Sequence, residues 1–490
     1  LINRLWDSYN FSLRECELVG PNLISVPARI ALKLSEAGTF VIKRALESPI
    51  SISTPAEIRL FERLQNFGLV AVSPMPSKQL KARDTSVIIP CFDPPDRLRN
   101  TLKCAKELRC ALEIIVVDDG SCFVSENRAI SEQFGAKFIA LDKNYGPARA
   151  RNAGAAKASG SLLLFLDCAL SFDSSLDETV ALVLPGLIEI AAPRIRTLDS
   201  WDTAPGRSIK KLIDNYESTN SALDLGEREG FVGSKRSCSY LPSTAIAIVK
   251  ETFCALGGFD ESMRLGEDVD LIKRALLDQR TIYYNAKNTV SHPSRDSLIS
   301  LCKQRFGYGR SSGPLAKLYG RQISHEVVDE FALISMFAPL LGEALRAAAV
   351  CLDRRRTIKL LNINTRPNSK ELIDISMVEM RRSTKNIIRS RGTFLLIGSL
   401  VSPRLRQWSI KIAVLYGISN LWVNKKNNHK ISLLAISVLD DISYSMGVVA
   451  GMVTAQTPTA IKPTFNLSFS KSLAKAAKAK AALYLNSIKS

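Results

Sequence analysis

At 490 residues the chain is too long for one compact core, and two to four domains are expected. Lys and Arg exceed Asp and Glu by 19, which favours polyanionic partners: nucleic acid, an anionic membrane face or phosphorylated substrates. The ten cysteines include no Cys-x-x-Cys pair, which argues against a zinc or disulfide framework and for a reducing, cytoplasmic compartment.

Residues 1–75 read as a small winged-helix-like α+β module: a short strand-like piece, then two helices. Ser35 is placed to cap the first helix; Thr54 caps the second, Pro55 suits its first turn and Gly68 its stop. Ser73–Asp84 reads as a linker. From residue 84 to about 315, strand and helix signals alternate. Thr85–Cys91, Glu113–Asp119, Ala136–Leu141 and Ser161–Asp167 are continuous apolar or β-branched runs, which predict a parallel sheet covered on both faces. From about 325 to 465 the pattern is helical, with basic clusters between apolar stripes, and 466–490 is a basic Ala/Lys tail. No uninterrupted run of about 18 apolar residues predicts a clean membrane span. Phe331–Gly342, Phe394–Val401, Ile412–Val423 and Ile431–Leu439 read as buried or interfacial helices.

Ligands of such a sheet bind where its strands end. The first strand ends "IIPCFDPPD", with Pro90 stopping it and Asp93 following; this is not the Gly-rich turn of a dinucleotide enzyme. The second ends "VVDDGS", where Asp118 and Asp119 emerge together and Gly120 permits a tight exit. An acid there accepts hydrogen bonds from a nucleoside, or simply caps the next helix. In "NYGPARARNAG" a helix start offers N–H groups to an anion, with Arg149 placed to face a diphosphate and Arg151 two residues on. The run "GSLLLFLDCALSF" ends on Asp167, and Ala169 stands where nucleotide–metal sites carry a second carboxylate.

In "GEDVDL", Glu267 and Asp268 open a helix. Like charges so close raise a carboxyl pKa toward that of a useful base; an acidic helix start complementing the dipole is the plain alternative. His292 follows a strand near the same site. Asp173 is a spare carboxylate, Arg305 and Arg310 could meet phosphate or lipid, and Trp201 and Tyr240 could stack on a sugar.

Taken in order, "TSVIIPCFDP", "EIIVVDDGS", "NYGPARARNAG", "LLLFLD" and "GGFDESMRLGEDVDLIKRALLDQRTIYYNAKNTVSH" resemble glycosyltransferase family 2 over residues 84–312. The resemblance implies an α/β fold of the Rossmann-like GT-A type. It implies that Pro90, Asp93 and Asp119 hold base and ribose, and that Arg149 and Asn152 line the diphosphate side. Asp167 would lie beside ribose and metal. Asp268 would be the base of an inverting transfer, with Glu267 orienting it or substituting for it. A Mn²⁺ or Mg²⁺ ion would be held by Asp167, His292 and the donor; Ala169 departs from the family's Asp-x-Asp.

The flanks resemble the glycosyltransferases of the mycofactocin system: "VPARIALKLSEAGTFVIKRAL" with "FERLQNFGLVAVSP", a peptide-chaperone-like segment, and "SVLDDISYSMGVVAGMVTAQTPTAIKP". That narrower likeness implies transfer of glucose, from UDP-glucose or a related donor, to a peptide-derived redox cofactor. It also implies a cytoplasmic site of action, peripheral at an anionic inner-membrane face. The alternative reading is a degenerate transferase serving as a nucleotide-sugar or peptide-binding scaffold. Nucleic acid is not an expected partner, since the basic residues lack interleaved aromatics.

Overall fold

The computed structural model describes residues 9–13, 16–25, 30–65, 68–74, 84–92, 94–183, 188–197, 208–233, 238–320, 327–329, 345, 369–461 and 464–466. Asp93, Trp201, Phe331–Gly342 and tail residues 467–490 lie outside them. The chain divides into two compact units: residues 1–207 with 214–295, and residues 208–213 with 296–490.

The first unit opens with β1 (Tyr9–Leu13), β2 (Glu17–Val19), β3 (Asn22–Ser25) and β4 (Ile30–Lys33), followed by helices α1 (Glu36–Glu47) and α2 (Pro55–Gln65) and strand β5 (Val70–Pro74). Strands β2–β4 make an antiparallel sheet, and β5 returns to pair with β1. Ser35 caps α1, its Oγ accepting from Gly38 N at 3.1 Å. At α2, Thr54 Oγ1 accepts from Glu57 N at 3.3 Å while Glu57 Oε2 accepts from Thr54 N at 3.0 Å, a reciprocal capping box.

This module shares its core with the sheet that follows. Tyr9, Phe11 and Phe61 belong to the same apolar cluster as Val87, Val116 and Leu164. Tyr9 Oη donates to Leu182 O at 2.8 Å, and Val72 N donates to Tyr283 Oη at 3.2 Å.

The central strands are β6 (Thr85–Cys91), β7 (Ala111–Asp118), β8 (Lys137–Ala140), β9 (Leu162–Leu166), β10 (Ile190–Thr197), β11 (Gly230–Phe231), β12 (Ala245–Val249) and β13 (Ile282–His292). The helices between them are α3 (Pro95–Lys106), α4 (Val124–Gln133), α5 (Pro147–Lys157), α6 (Leu176–Ala181), α7 (Ser208–Asn220), α8 (Lys250–Ala255) and α9 (Glu267–Leu277). The eight strands lie in the order β11-β13-β10-β12-β9-β6-β7-β8. Pairs β6–β7, β6–β9, β7–β8 and β10–β13 are parallel, as the continuous apolar runs predict. The sheet is nevertheless mixed, because β12 runs antiparallel between β9 and β10.

Successive residues feed opposite faces of the sheet: Val87, Ile89 and Leu164 go to one core, and Ile88, Ile115 and Phe165 to the other. Each such burial is worth about 1.5–3 kcal/mol. That two-sided burial explains why these strands read as unbroken apolar runs.

The second unit contains α10 (Leu298–Tyr319), α11 (Ser369–Val401), α12 (Pro403–Val423) and α13 (Lys430–Ala455). It begins at Asp296, earlier than the change of pattern near 315–325, because α10 packs backbone to backbone on α13. A Cβ on Gly309 would sit 2.0 Å from Tyr444 O, and one on Gly447 would sit 2.0 Å from Phe306 O. Arg305 is buried here and bonded to Asp440 at 2.9 Å, not presented to phosphate or lipid as its sequence context suggested. Arg389 joins the cluster, reaching Asp440 at 2.7 Å and Asp441 at 2.6 Å. Paired in this way, the two aspartates let α13 continue through the point where they interrupt its apolar sequence. Among the described residues α13 is the helix long and apolar enough to cross a membrane.

Candidate active site

The chain runs from β6 through β7 to β8 at the sheet edge, then returns to the other side of β6 as β9. That reversal opens a crevice at the carboxyl ends of the strands, where α/β sheets bind ligands. Pro90 lies one residue before the end of β6 at Cys91, Asp118 ends β7 with Asp119 next in the chain, and Asp167 follows β9.

The paired aspartates have different jobs. Asp118 is fully buried and accepts from Ser121 N at 2.8 Å, Ser121 Oγ at 2.7 Å and Asn127 Nδ2 at 2.9 Å, which fixes the turn into α4. Asp119 accepts from Tyr145 N and Gly146 N, both at 2.8 Å, and so ties β7 to the loop that starts α5. Burial raises its carboxyl pKa against the pull of those N–H groups. Gly120, at φ +69°, lets the loop close in; a Cβ there would lie 2.4 Å from Lys143 C.

The centre of the site is Arg151. Its guanidinium is almost wholly buried and bonds Asp167 Oδ1 at 2.6 Å and Glu267 Oε1 at 2.9 Å. It lies over the Phe259 ring, 5.3 Å from the centroid, and its Nε has no hydrogen-bond partner. One cation therefore joins the strand-end carboxylate to the acidic start of α9. Asp268 completes the group: its Oδ1 accepts from Val269 N at 2.8 Å and its Oδ2 from Ser243 N at 3.4 Å. The adjacent Thr244 O accepts from Asp167 N at 2.8 Å, so one short segment registers both acids.

Burial, and then the neighbouring Asp268 charge, push the Glu267 carboxyl up to about 7. Burial likewise raises Asp268. A carboxyl pair whose affinity for protons is raised in this way is suited to take a proton from a hydroxyl.

Arg149 takes a different place from the one its position in the motif suggested. It is half exposed and bonds Glu261 Oε2 at 2.6 Å. Two residues on a helix differ by about 200°, so Arg149 and Arg151 point to opposite sides. Asn152 pins the loop before α9: Nδ2 donates to Phe259 O at 2.9 Å and Oδ1 accepts from Phe259 N at 3.0 Å. The Tyr240 hydroxyl donates to Ala222 O at 2.8 Å. Arg151 was visible only as half of an Arg-x-Arg pair, and its distant partners left no signal in the sequence.

His292 ends β13. Its Nδ1 donates to Pro293 O at 2.7 Å, which leaves Nε2 as an acceptor. Burial holds its pKa low despite the opposing effect of Asp167. The described residues do not fit a divalent ion held by protein alone. Asp167 is already paired with Arg151, Ala169 has no ligating atom, and Asp173 is exposed and caps Ser175 N at 2.9 Å. Among the described residues no three His, Cys, Asp or Glu side chains gather as a metal group. Ala169 itself has φ +71°, a left-handed conformation unusual for alanine.

The sheet is Rossmann-like, with acids at its strand ends and the Glu267–Asp268 carboxyls beside them, and residues 86–182 match the family model for glycosyl transferase family 2. Those residues carry a domain of that family, and the chain is a glycosyltransferase. It is similar to the pre-mycofactocin glycosyltransferase of Mycobacterium tuberculosis, 28% identical over 415 residues, covering 80% of this chain and 84% of that protein. It is 33% identical over 190 residues to the undecaprenyl-phosphate 4-deoxy-4-formamido-L-arabinose transferase of Proteus mirabilis, covering 35% of this chain and 57% of that one. Among solved structures, a mannosyltransferase from Pyrobaculum calidifontis in complex with GDP-Man and Mn²⁺ aligns over 74% of this chain and 87% of its own. The identity is 12% and the TM-score 0.39.

Proposed function

We propose that this chain moves a hexosyl group, glucose being the first candidate, from a nucleotide-diphosphate sugar to a hydroxyl of a peptide-derived acceptor of the mycofactocin type, with inversion at the anomeric carbon. The observation that carries this reading is the pairing of buried Glu267 with half-buried Asp268, joined through Arg151 to Asp167 at the carboxyl ends of the strands. Asp268 takes the acceptor proton as the oxygen attacks. Glu267, held by Arg151, lies beside Asp268, whose carboxyl burial raises above the ordinary range and so makes a stronger base. Pro90, Asp93 and Asp119 hold the nucleoside. Arg151, buried between Asp167 and Glu267, holds the two carboxylates in place. The similarity to the Mycobacterium tuberculosis protein, over 80% of this chain, supports the acceptor class.

The test is UDP release from UDP-glucose, with and without a mycofactocin-type acceptor, for wild type and Asp268→Asn. Acceptor-dependent release that falls at least about 10²-fold in the variant supports the reading. Tight donor binding with no release, even with acceptor present, replaces it with a binding scaffold.

A further inference from the structure

The cysteines are scattered along the sequence, but folding sets two of them face to face. Cys91 is the last residue of β6, and Cys168 follows Asp167 just past β9. The two strands are parallel and in register, with Val87 opposite Leu164 and Ile88 opposite Phe165. Carried on along both strands, that register sets Cys91 opposite Cys168. Both side chains enter the apolar core that also takes Val87, Ile89, Leu164 and Leu166. There the Cys168 thiol donates to Cys91 Sγ at 3.4 Å. A buried cysteine often serves only as a small apolar side chain. Here the two sulfurs touch directly across adjacent strands. Neighbouring strands lie about 4.7–4.9 Å apart, inside the Cα separation that a disulfide spans, and a disulfide brings its sulfurs to about 2.05 Å. Closing the bond therefore needs only a small approach of the strand ends.

The pair lies at the base of the crevice. Cys91 O accepts from Asp119 N at 2.8 Å, and Cys168 directly follows Asp167, which Arg151 holds at 2.6 Å. The thiols are 1% and 6% exposed, but the Asp167 side chain beside Cys168 is 28% exposed, so a small oxidant reaches the pair from the crevice. We infer that Cys91 and Cys168 are a reversible oxidation site, closed to a disulfide by hydrogen peroxide and reopened by a thiol reductant. The sulfur of one thiol attacks a peroxide oxygen; the O–O bond breaks and the departing hydroxide takes the thiol proton, leaving a sulfenic acid and water. The second sulfur displaces the sulfenic hydroxyl, which leaves as water with the second thiol proton. Two thiols thus lose two electrons and two protons, and the peroxide becomes two waters. The bond draws the ends of β6 and β9 together, shifts Asp167 against Arg151 and slows transfer. That last effect rests on the transferase reading; the oxidation itself does not.

Peptide mapping of the full chain by mass spectrometry, without reduction and after hydrogen peroxide, tests the site. A cross-linked peptide joining Cys91 to Cys168, lighter than the two thiol peptides by two hydrogens and absent after dithiothreitol, is the expected result. UDP release from UDP-glucose with acceptor should fall about fivefold or more on oxidation and recover with dithiothreitol. Cys91→Ala and Cys168→Ser, each alone, should transfer as reduced wild type does and lose the response to peroxide. Cys254→Ser, at an exposed thiol, should respond as wild type does. Cys91 and Cys168 that stay reduced under peroxide, or that oxidise to separate sulfinic acids without a cross-link, overturn the inference. So does inhibition by peroxide that persists in both single variants. Reduced wild type that releases no UDP overturns the transferase reading instead, and the oxidation site then stands or falls on the peptide map.

Discussion

Arg151 is one guanidinium between two carboxylates in a buried place, and its removal strands both. Breaking such a pair from one side costs about 3–5 kcal/mol. Arg151→Met should therefore lower unfolding stability by that order in urea titrations and abolish sugar transfer, while Arg151→Lys, which keeps charge but not the forked geometry, should recover part of the stability. The Glu267–Asp268 pair gives a pH prediction. With Glu267 raised to about 7 and Asp268 raised as well, the folded state holds protons that the unfolded chain releases at ordinary carboxylate values.

Two signs follow from that difference. Stability should fall as pH rises from about 4.5 to about 7, because there the folded state binds more protons. Activity should rise over the upper part of that window as the pair ionises, and Glu267→Gln should move the acidic limb of kcat/KM downward by removing a like charge. A limb at the ordinary carboxylate pKa in wild type would contradict the assignment. At Ala169 the left-handed backbone suits Asp or Asn better than Ala. Ala169→Asp should fold with an unchanged or slightly higher Tm, which thermal unfolding would check.

At the scale of elements, α10 and α13 depend on glycine for their approach. Gly447→Val would drive a side chain into the Phe306 carbonyl and should cost about 3 kcal/mol or more, seen as a lowered helical melting transition. Gly417 in α12 has open space where its Cβ would be, so Gly417→Ala should be neutral or stabilising by about 0.5–1 kcal/mol. Elements differ in how plainly the sequence announces them. The runs Thr85–Cys91 and Leu162–Leu166 are unbroken because both faces are covered, and they were readable as strands. The caps at Ser35 and Thr54 were equally plain, since the capping bonds are local. Strands β2, β3 and β4, of three or four residues, are too short to show alternation, so only one strand-like piece was evident there.

For the whole molecule, the N-terminal strands and the large sheet share one core, although the sequence reads as a separate module joined by a linker. Tyr283→Phe should test this. It leaves the buried Val72 N–H without its acceptor and should cost about 1–3 kcal/mol in unfolding stability without changing donor affinity.

Local rules were enough for some of this protein. Apolar runs ending in acids, a capping serine and the Glu267–Asp268 dipeptide declare the sheet class and most of the site's carboxylates, because each depends on neighbours within a few residues. The partner of each charge was decided only by the tertiary structure. Arg149 and Arg151 look alike in sequence, yet folding sends one to an exposed Glu261 and buries the other between Asp167 and Glu267. Arg305 read as a phosphate or lipid contact and instead neutralises Asp440 inside a helical bundle. Ion pairing across 16, 116 or 135 residues is set by how elements pack, and no local pattern encodes it.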